Sequence, residues 1–147
     1  MCFMLFVGTD VPLPLKEWDK EAPDVWVRSV GENEAAIRAH FTKPVVQYVG
    51  ASSSCGCDFP HWLLFNGKAP ADEFDERDED QKKNNYKNAS GLAKLLRESG
   101  ERAVEFYGVW AGKWAMPPIG VKDIALEEIV SPSFLLGEQV FYRVRVS

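Results

Sequence analysis

The sequence predicts a single α+β domain, in which a mixed, mainly antiparallel sheet packs against about two helices. Its 147 residues match the commonest size of one domain, and no linker-like tract divides them. Strand patterns outnumber helical ones, and three of them fall in the last third of the chain. A domain of this length buries roughly two-thirds of its unfolded surface. We therefore expect residues 1–147 to fold around one core without help from a metal or a disulfide.

Seven segments have the composition of strands. The first is a short apolar run after Met1, which Gly8 and the polar residues behind it bring to an end. In the last, every second residue from Val140 to Val146 is apolar, which is typical of a strand with one buried face. The predicted strands are residues 2–7, 24–30, 45–50, 61–65, 103–110, 124–130 and 139–146.

Two segments have the spacing of helices. Residues 32–41 place three apolar side chains on one face and begin with acidic residues, and Pro44 prevents continuation. Residues 80–99 repeat apolar positions at helical intervals, and Gly100 can cap their end. Directly in front of this second helix, residues 72–80 hold seven acidic residues in nine positions. That stretch is predicted to be solvated.

The charge and hydropathy of the chain argue against two classes of partner. The formal net charge is -5, and no run of Lys and Arg alternates with aromatic residues, so we expect no nucleic-acid partner. No apolar stretch approaches the ~20 residues that cross a bilayer, so we expect no membrane partner. The opening also lacks the parts of a signal peptide, which predicts a cytoplasmic protein. A protein or small-molecule partner is left open.

The three cysteines and one histidine are the candidate functional residues. An odd cysteine count without an export signal argues against a disulfide framework and favours free thiols, metal ligands or a redox pair. Cys55 and Cys57 flank a glycine, which tolerates the φ values of a tight loop, so both thiolates can reach one ion. His61 follows four residues later, and Cys2 lies on a strand that can pair with residues 45–50. Together they predict a zinc or iron site.

Other interpretations of the same residues stay open. A bond between Cys55 and Cys57 would be strained and therefore labile, as a thiol-dependent redox switch or enzyme requires. If Met1 is removed, Cys2 becomes an N-terminal nucleophile, although the chain is short for the enzymes that work in this way. The thiols can also be small side chains beside a turn. A protein-interaction module without chemistry is the remaining alternative.

Four further segments stand out in the sequence: the opening Met-Cys-x-Met-Leu, Phe-Thr-Lys-Pro-Val-Val-Gln-Tyr-Val-Gly at 41–50, Cys-Gly-Cys-Asp-Phe at 55–59 and Phe-Tyr-Gly-Val-Trp at 106–110. Together they resemble a family of small bacterial proteins that join an N-terminal cysteine, a His-Phe-x-Lys-Pro stretch and a Cys-Gly-Cys loop. The resemblance implies a bacterial cytoplasmic protein and carries no activity, cofactor or catalytic residue with it.

Overall fold

The structure is a computed structural model that describes residues 2–70 and 75–147. Within these residues the chain forms eight strands, one α-helix and three 3₁₀ segments. The 3₁₀ segments are Glu32–His40, Gly56–Asp58 and Leu126–Val130. The other elements are β1 (Phe3–Thr9), β2 (Trp26–Ser29), β3 (Val45–Gly50), β4 (His61–Trp62), α1 (Glu79–Glu98), β5 (Ala103–Trp110), β6 (Gly120–Ala125), β7 (Leu136–Gly137) and β8 (Val140–Arg145).

The described strands form a large sheet and a small one. The large sheet has six strands in the order β2-β3-β1-β5-β8-β6, and all of its pairs are antiparallel except β6 with β8. The small sheet is the parallel pair of β4 and β7. The predicted class, an α+β fold with a mixed and mainly antiparallel sheet, is therefore confirmed.

Both faces of the large sheet are covered. Because side chains alternate along a strand, Leu5 of β1 packs into the cluster that includes Leu92 and Leu96 of α1. Its neighbour Phe6 points to the opposite face and packs with Ile37 of the 3₁₀ segment Glu32–His40. All five side chains are essentially inaccessible to solvent. Each contributes about 1.5–3 kcal/mol of burial free energy, so helical elements on both sides hold the sheet.

The two most specific predictions about single elements are confirmed. Strand β8 places Val140, Tyr142 and Val144 in the cluster beneath α1, and the intervening arginines are exposed. The helix predicted over residues 80–99 is α1, which Asp78 caps by accepting a hydrogen bond from the Gln81 amide at 2.8 Å. Of the acidic stretch in front of it, residues 72–74 lie outside the described residues.

Three sequence predictions differ from the structure in extent or kind. Only the first two residues of the segment 124–130 belong to a strand: β6 ends at Ala125, and a 3₁₀ turn follows that buries Leu126 and Ile129, three positions apart. The strand predicted at 61–65 is only the two residues of β4. The helix predicted at 32–41 has 3₁₀ geometry.

Glu105 of β5 ties the loop before β3 to the sheet, which gives a prediction about stability. Its carboxylate is 4% exposed and accepts hydrogen bonds from the Thr42 amide at 2.9 Å, the Lys43 amide at 3.0 Å and the Thr42 hydroxyl. Glu105→Ala removes the acceptor for all three donors, so we expect a loss of about 2–4 kcal/mol in the free energy of unfolding. Urea denaturation measures it.

Two further variants calibrate that loss. Glu105→Gln keeps one acceptor oxygen and should lose less than Glu105→Ala. The exposed Glu127 on the 3₁₀ turn is the matched control, and Glu127→Ala should change stability by no more than about 0.5 kcal/mol. Equal unfolding midpoints for Glu105→Ala and Glu127→Ala would show that Glu105 does not hold the loop.

Candidate metal centre

The Cys-Gly-Cys motif lies in a compact turn that follows β3. The Ala51 amide donates a hydrogen bond to the Cys55 carbonyl at 2.9 Å, which closes the turn over residues 52–54. Ser54 permits the reversal with a φ of 74°, in the left-handed region. The 3₁₀ segment Gly56–Asp58 comes next, and the Phe59 amide bonds back to the Gly56 carbonyl at 3.1 Å. The turn therefore carries both loop cysteines back towards the sheet.

Gly56 is the point at which the turn touches β1. A Cβ atom at this position would lie 2.5 Å from the Phe3 carbonyl oxygen, closer than real Cβ contacts come. The φ of Gly56 is not positive, so the expectation that glycine serves the loop through unusual φ values is wrong. The motif needs glycine because only a residue without a side chain lets the loop backbone approach the strand backbone so closely.

The pairing of β1 with β3 brings Cys2 next to the Cys-Gly-Cys turn. Because the two strands are antiparallel, the start of β1 lies beside the end of β3, where the Cys-Gly-Cys turn begins. The Ala111 amide holds Cys2 at this end by a 2.9 Å hydrogen bond to its carbonyl. The sulfur atoms of Cys2, Cys55 and Cys57 consequently lie within 4.8 Å of one another. The sequence prediction that these three residues cluster is confirmed.

Two of the three sulfur atoms already accept backbone hydrogen bonds. The Phe3 amide donates to Cys57 Sγ at 3.3 Å, and the Cys57 amide donates to Cys55 Sγ at 3.4 Å. Such bonds favour the charged form of the acceptor, which for cysteine is the thiolate that binds metals. Zinc–sulfur bonds of about 2.3 Å place tetrahedral ligands about 3.8 Å apart. The cluster therefore needs only a small contraction to coordinate one ion.

Without an ion, burial keeps the Cys2 and Cys57 thiols protonated. Burial raises the pKa of Cys57 to about 12, against the opposing effect of the Phe3 amide, and the neighbouring sulfurs add to the rise. Burial, and after it repulsion from Cys55, also raises the pKa of Cys2. The Tyr48 phenol has a raised pKa as well, first through burial and then through the charge of Cys2. A metal ion must therefore displace protons to bind.

His61 lies next to the cluster but is not part of it. Its ring stacks on Phe3 with centroids 4.5 Å apart, and its Nδ1 is 2.8 Å from the Phe59 carbonyl. Burial lowers its pKa, so the ring is neutral at pH 7. Among the described residues, the group with ligand atoms within 4.8 Å of one another holds only the three cysteines. That His61 supplies a fourth ligand stays a prediction.

Phe3 was not singled out by the sequence, yet it connects the parts of the site. Its amide bonds Cys57, its carbonyl contacts Gly56, and its ring stacks on His61. In the sequence it is one apolar residue of a predicted strand, and no pattern distinguishes it from its neighbours. Its role depends on backbone contacts between segments that are more than fifty positions apart.

Comparisons of the chain with family models, with curated proteins and with solved structures give no match. The resemblance to a family of small bacterial proteins therefore stays a prediction. In the part of the chain that the structure describes, no helix combines the length and the apolar character needed to span a bilayer. The feature that bears on function is thus the geometry of the cysteine cluster.

Proposed function

We propose that the protein is a metal-binding protein whose Cys2, Cys55 and Cys57 thiolates hold one zinc ion. The observation that carries the proposal is the position of the three sulfur atoms, which lie within 4.8 Å of one another. Thiolates are preferred ligands of both zinc and iron. The three cysteines form one group, so they fit a single ion. Iron is the second candidate, because iron also binds to cysteine thiolates.

The way the fold builds the cluster supports a binding role. Two of the cysteines are neighbours in a turn, but Cys2 comes from more than fifty residues away and is placed by strand pairing. The close contact between Gly56 and β1 and the hydrogen bond from Phe3 to Cys57 keep the sulfurs together without a metal. A site arranged before binding costs less conformational entropy when the ion arrives.

A thiol–disulfide switch is the alternative use of the same cluster. All three cysteines are free, and a disulfide would require two sulfurs to approach to about 2.05 Å. Attack on a disulfide needs a thiolate, and burial opposes this by raising the pKa values of Cys2 and Cys57. A metal ion overcomes that opposition by binding the sulfurs directly, so the metal proposal is the better supported.

The test is the metal content of untagged protein and its dependence on pH. We expect about one equivalent of zinc by elemental analysis, and a binding constant that falls as the pH is lowered, above pH 7 as well as below it. The sign follows from the pKa values: protons occupy the Cys2 and Cys57 thiols up to high pH in the free protein, so each unit of acidification strengthens their competition with the ion. Competition with a chromogenic chelator measures the constant.

Two outcomes would contradict the proposal. Protein that remains free of metal after incubation with zinc or ferrous iron, with a melting temperature unaffected by chelators, would show that the cluster is not a metal site. Titration of thiols in denaturant, without reductant, should count three. A count of one would instead favour the redox switch, because a native disulfide would have consumed the other two.

A further inference from the structure

The cluster offers fewer ligands than a closed zinc site requires. Structural zinc sites have four protein ligands, whereas catalytic sites have three and leave the fourth position to water or a substrate. Over residues 2–70 and 75–147, no His, Asp, Glu or further Cys joins the group whose ligand atoms lie within 4.8 Å. The three cysteines are also only half-buried, so solvent reaches their side of the turn.

We infer that a zinc ion on Cys2, Cys55 and Cys57 keeps its fourth position open and binds the sulfur of a small-molecule thiol there. This inference rests on the proposed function and names the class of ligand that the site takes. The binding step is an exchange: the bound water leaves, the thiol gives its proton to water, and a zinc–sulfur bond forms. No atom changes its oxidation state.

The charge of the site does not by itself select a ligand, so the donor atom must do so. Three thiolates give the zinc centre a formal charge of −1, which repels any anionic ligand, a thiolate included, unless a cation attracts it. A zinc–sulfur bond offsets that repulsion better than a bond to a carboxylate or phosphate oxygen, because zinc is a borderline-soft cation.

The cation over the Tyr48 ring of β3 is already paired. The Arg28 guanidinium lies 4.2 Å above the Tyr48 ring, and it forms two hydrogen bonds of 2.8 Å with the buried Glu34 carboxylate. Such a two-point pair satisfies the guanidinium geometry and leaves little attraction for a second anion. An oxygen anion therefore gains little from Arg28, whereas a thiol binds through a soft atom that the zinc centre itself favours.

Cobalt(II) provides the probe, because its tetrahedral complexes absorb light in proportion to the number of cobalt–sulfur bonds. We expect the cobalt-loaded protein to show charge-transfer absorption for three such bonds. Titration with 2-mercaptoethanol should raise that absorption by about one-third, since a fourth bond joins three, with stronger binding at higher pH. Ethylene glycol, which has a hydroxyl in place of the thiol, is the matched control and should cause no change.

His61→Phe separates an open site from a closed one. Phenylalanine can stack on Phe3 as the imidazole does, but it cannot bind a metal. If the site is open, this variant and the wild type should have the same cobalt spectrum and the same response to 2-mercaptoethanol. Wild-type absorption that does not respond to the thiol, or a cobalt spectrum that changes with His61→Phe, would overturn the inference while leaving a metal site. Failure to bind cobalt or zinc at all would overturn the proposed function with it.

Discussion

Replacing Cys57 with serine is expected to abolish zinc binding, with the affinity falling by at least about 100-fold. A change outside the direct ligands typically costs 10–100-fold, so the loss of one of three direct ligands should cost more. A hydroxyl is a poor ligand for a borderline-soft cation. Competition with a chromogenic chelator gives the affinities of both proteins.

The other two cysteines and the histidine make this experiment decisive. Cys2→Ser and Cys55→Ser should also lose affinity, because each change removes one of the three thiolate ligands. His61→Phe should retain wild-type affinity if the three cysteines act alone. Near wild-type binding by Cys57→Ser would mean that the ion lies elsewhere. Circular dichroism of each variant without metal confirms that the fold is retained.

Two strand patterns in the sequence predict that the cysteines cluster. The apolar run at 2–7 and the β-branched segment at 45–50 could be recognised as strands, and their antiparallel pairing places Cys2 beside the turn after β3. The alternation in residues 139–146 was equally clear, because exposed arginines separate side chains that are buried beneath α1. These predictions succeeded because strands buried on both faces, such as β1 and β3, form short apolar runs, and exposed positions on one face leave a period of two.

The failures have physical causes that a local pattern does not contain. β6 is an edge strand with four exposed residues, so it lacks the apolar alternation that marked the others. The next segment, 126–130, is apolar at positions three apart, which suits a 3₁₀ turn as well as a strand. The position of a segment in the whole fold therefore determines these elements, and no local pattern contains that information.

The close contact at Gly56 leads to a prediction about both the stability of the protein and its affinity for zinc. Gly56→Ala adds a methyl group 2.5 Å from the Phe3 carbonyl oxygen, and a backbone atom cannot move aside as a flexible side chain does. The turn must separate from β1, so we expect a loss of about 1–3 kcal/mol in the free energy of unfolding. Urea denaturation of the metal-free protein measures it.

Gly120→Ala is the matched control for this substitution. A Cβ atom at Gly120 meets no atom within 4 Å, and its φ is not positive, so the same chemical change should alter stability by no more than about 0.5 kcal/mol. In Gly56→Ala, separation of the turn also lengthens the hydrogen bond from Phe3 to Cys57 and moves two sulfurs away from Cys2. Zinc affinity should therefore fall in Gly56→Ala and stay unchanged in Gly120→Ala, although neither variant removes a ligand. If both variants match the wild type in unfolding midpoint and zinc affinity, the close approach of the turn to β1 does not hold the cysteines together.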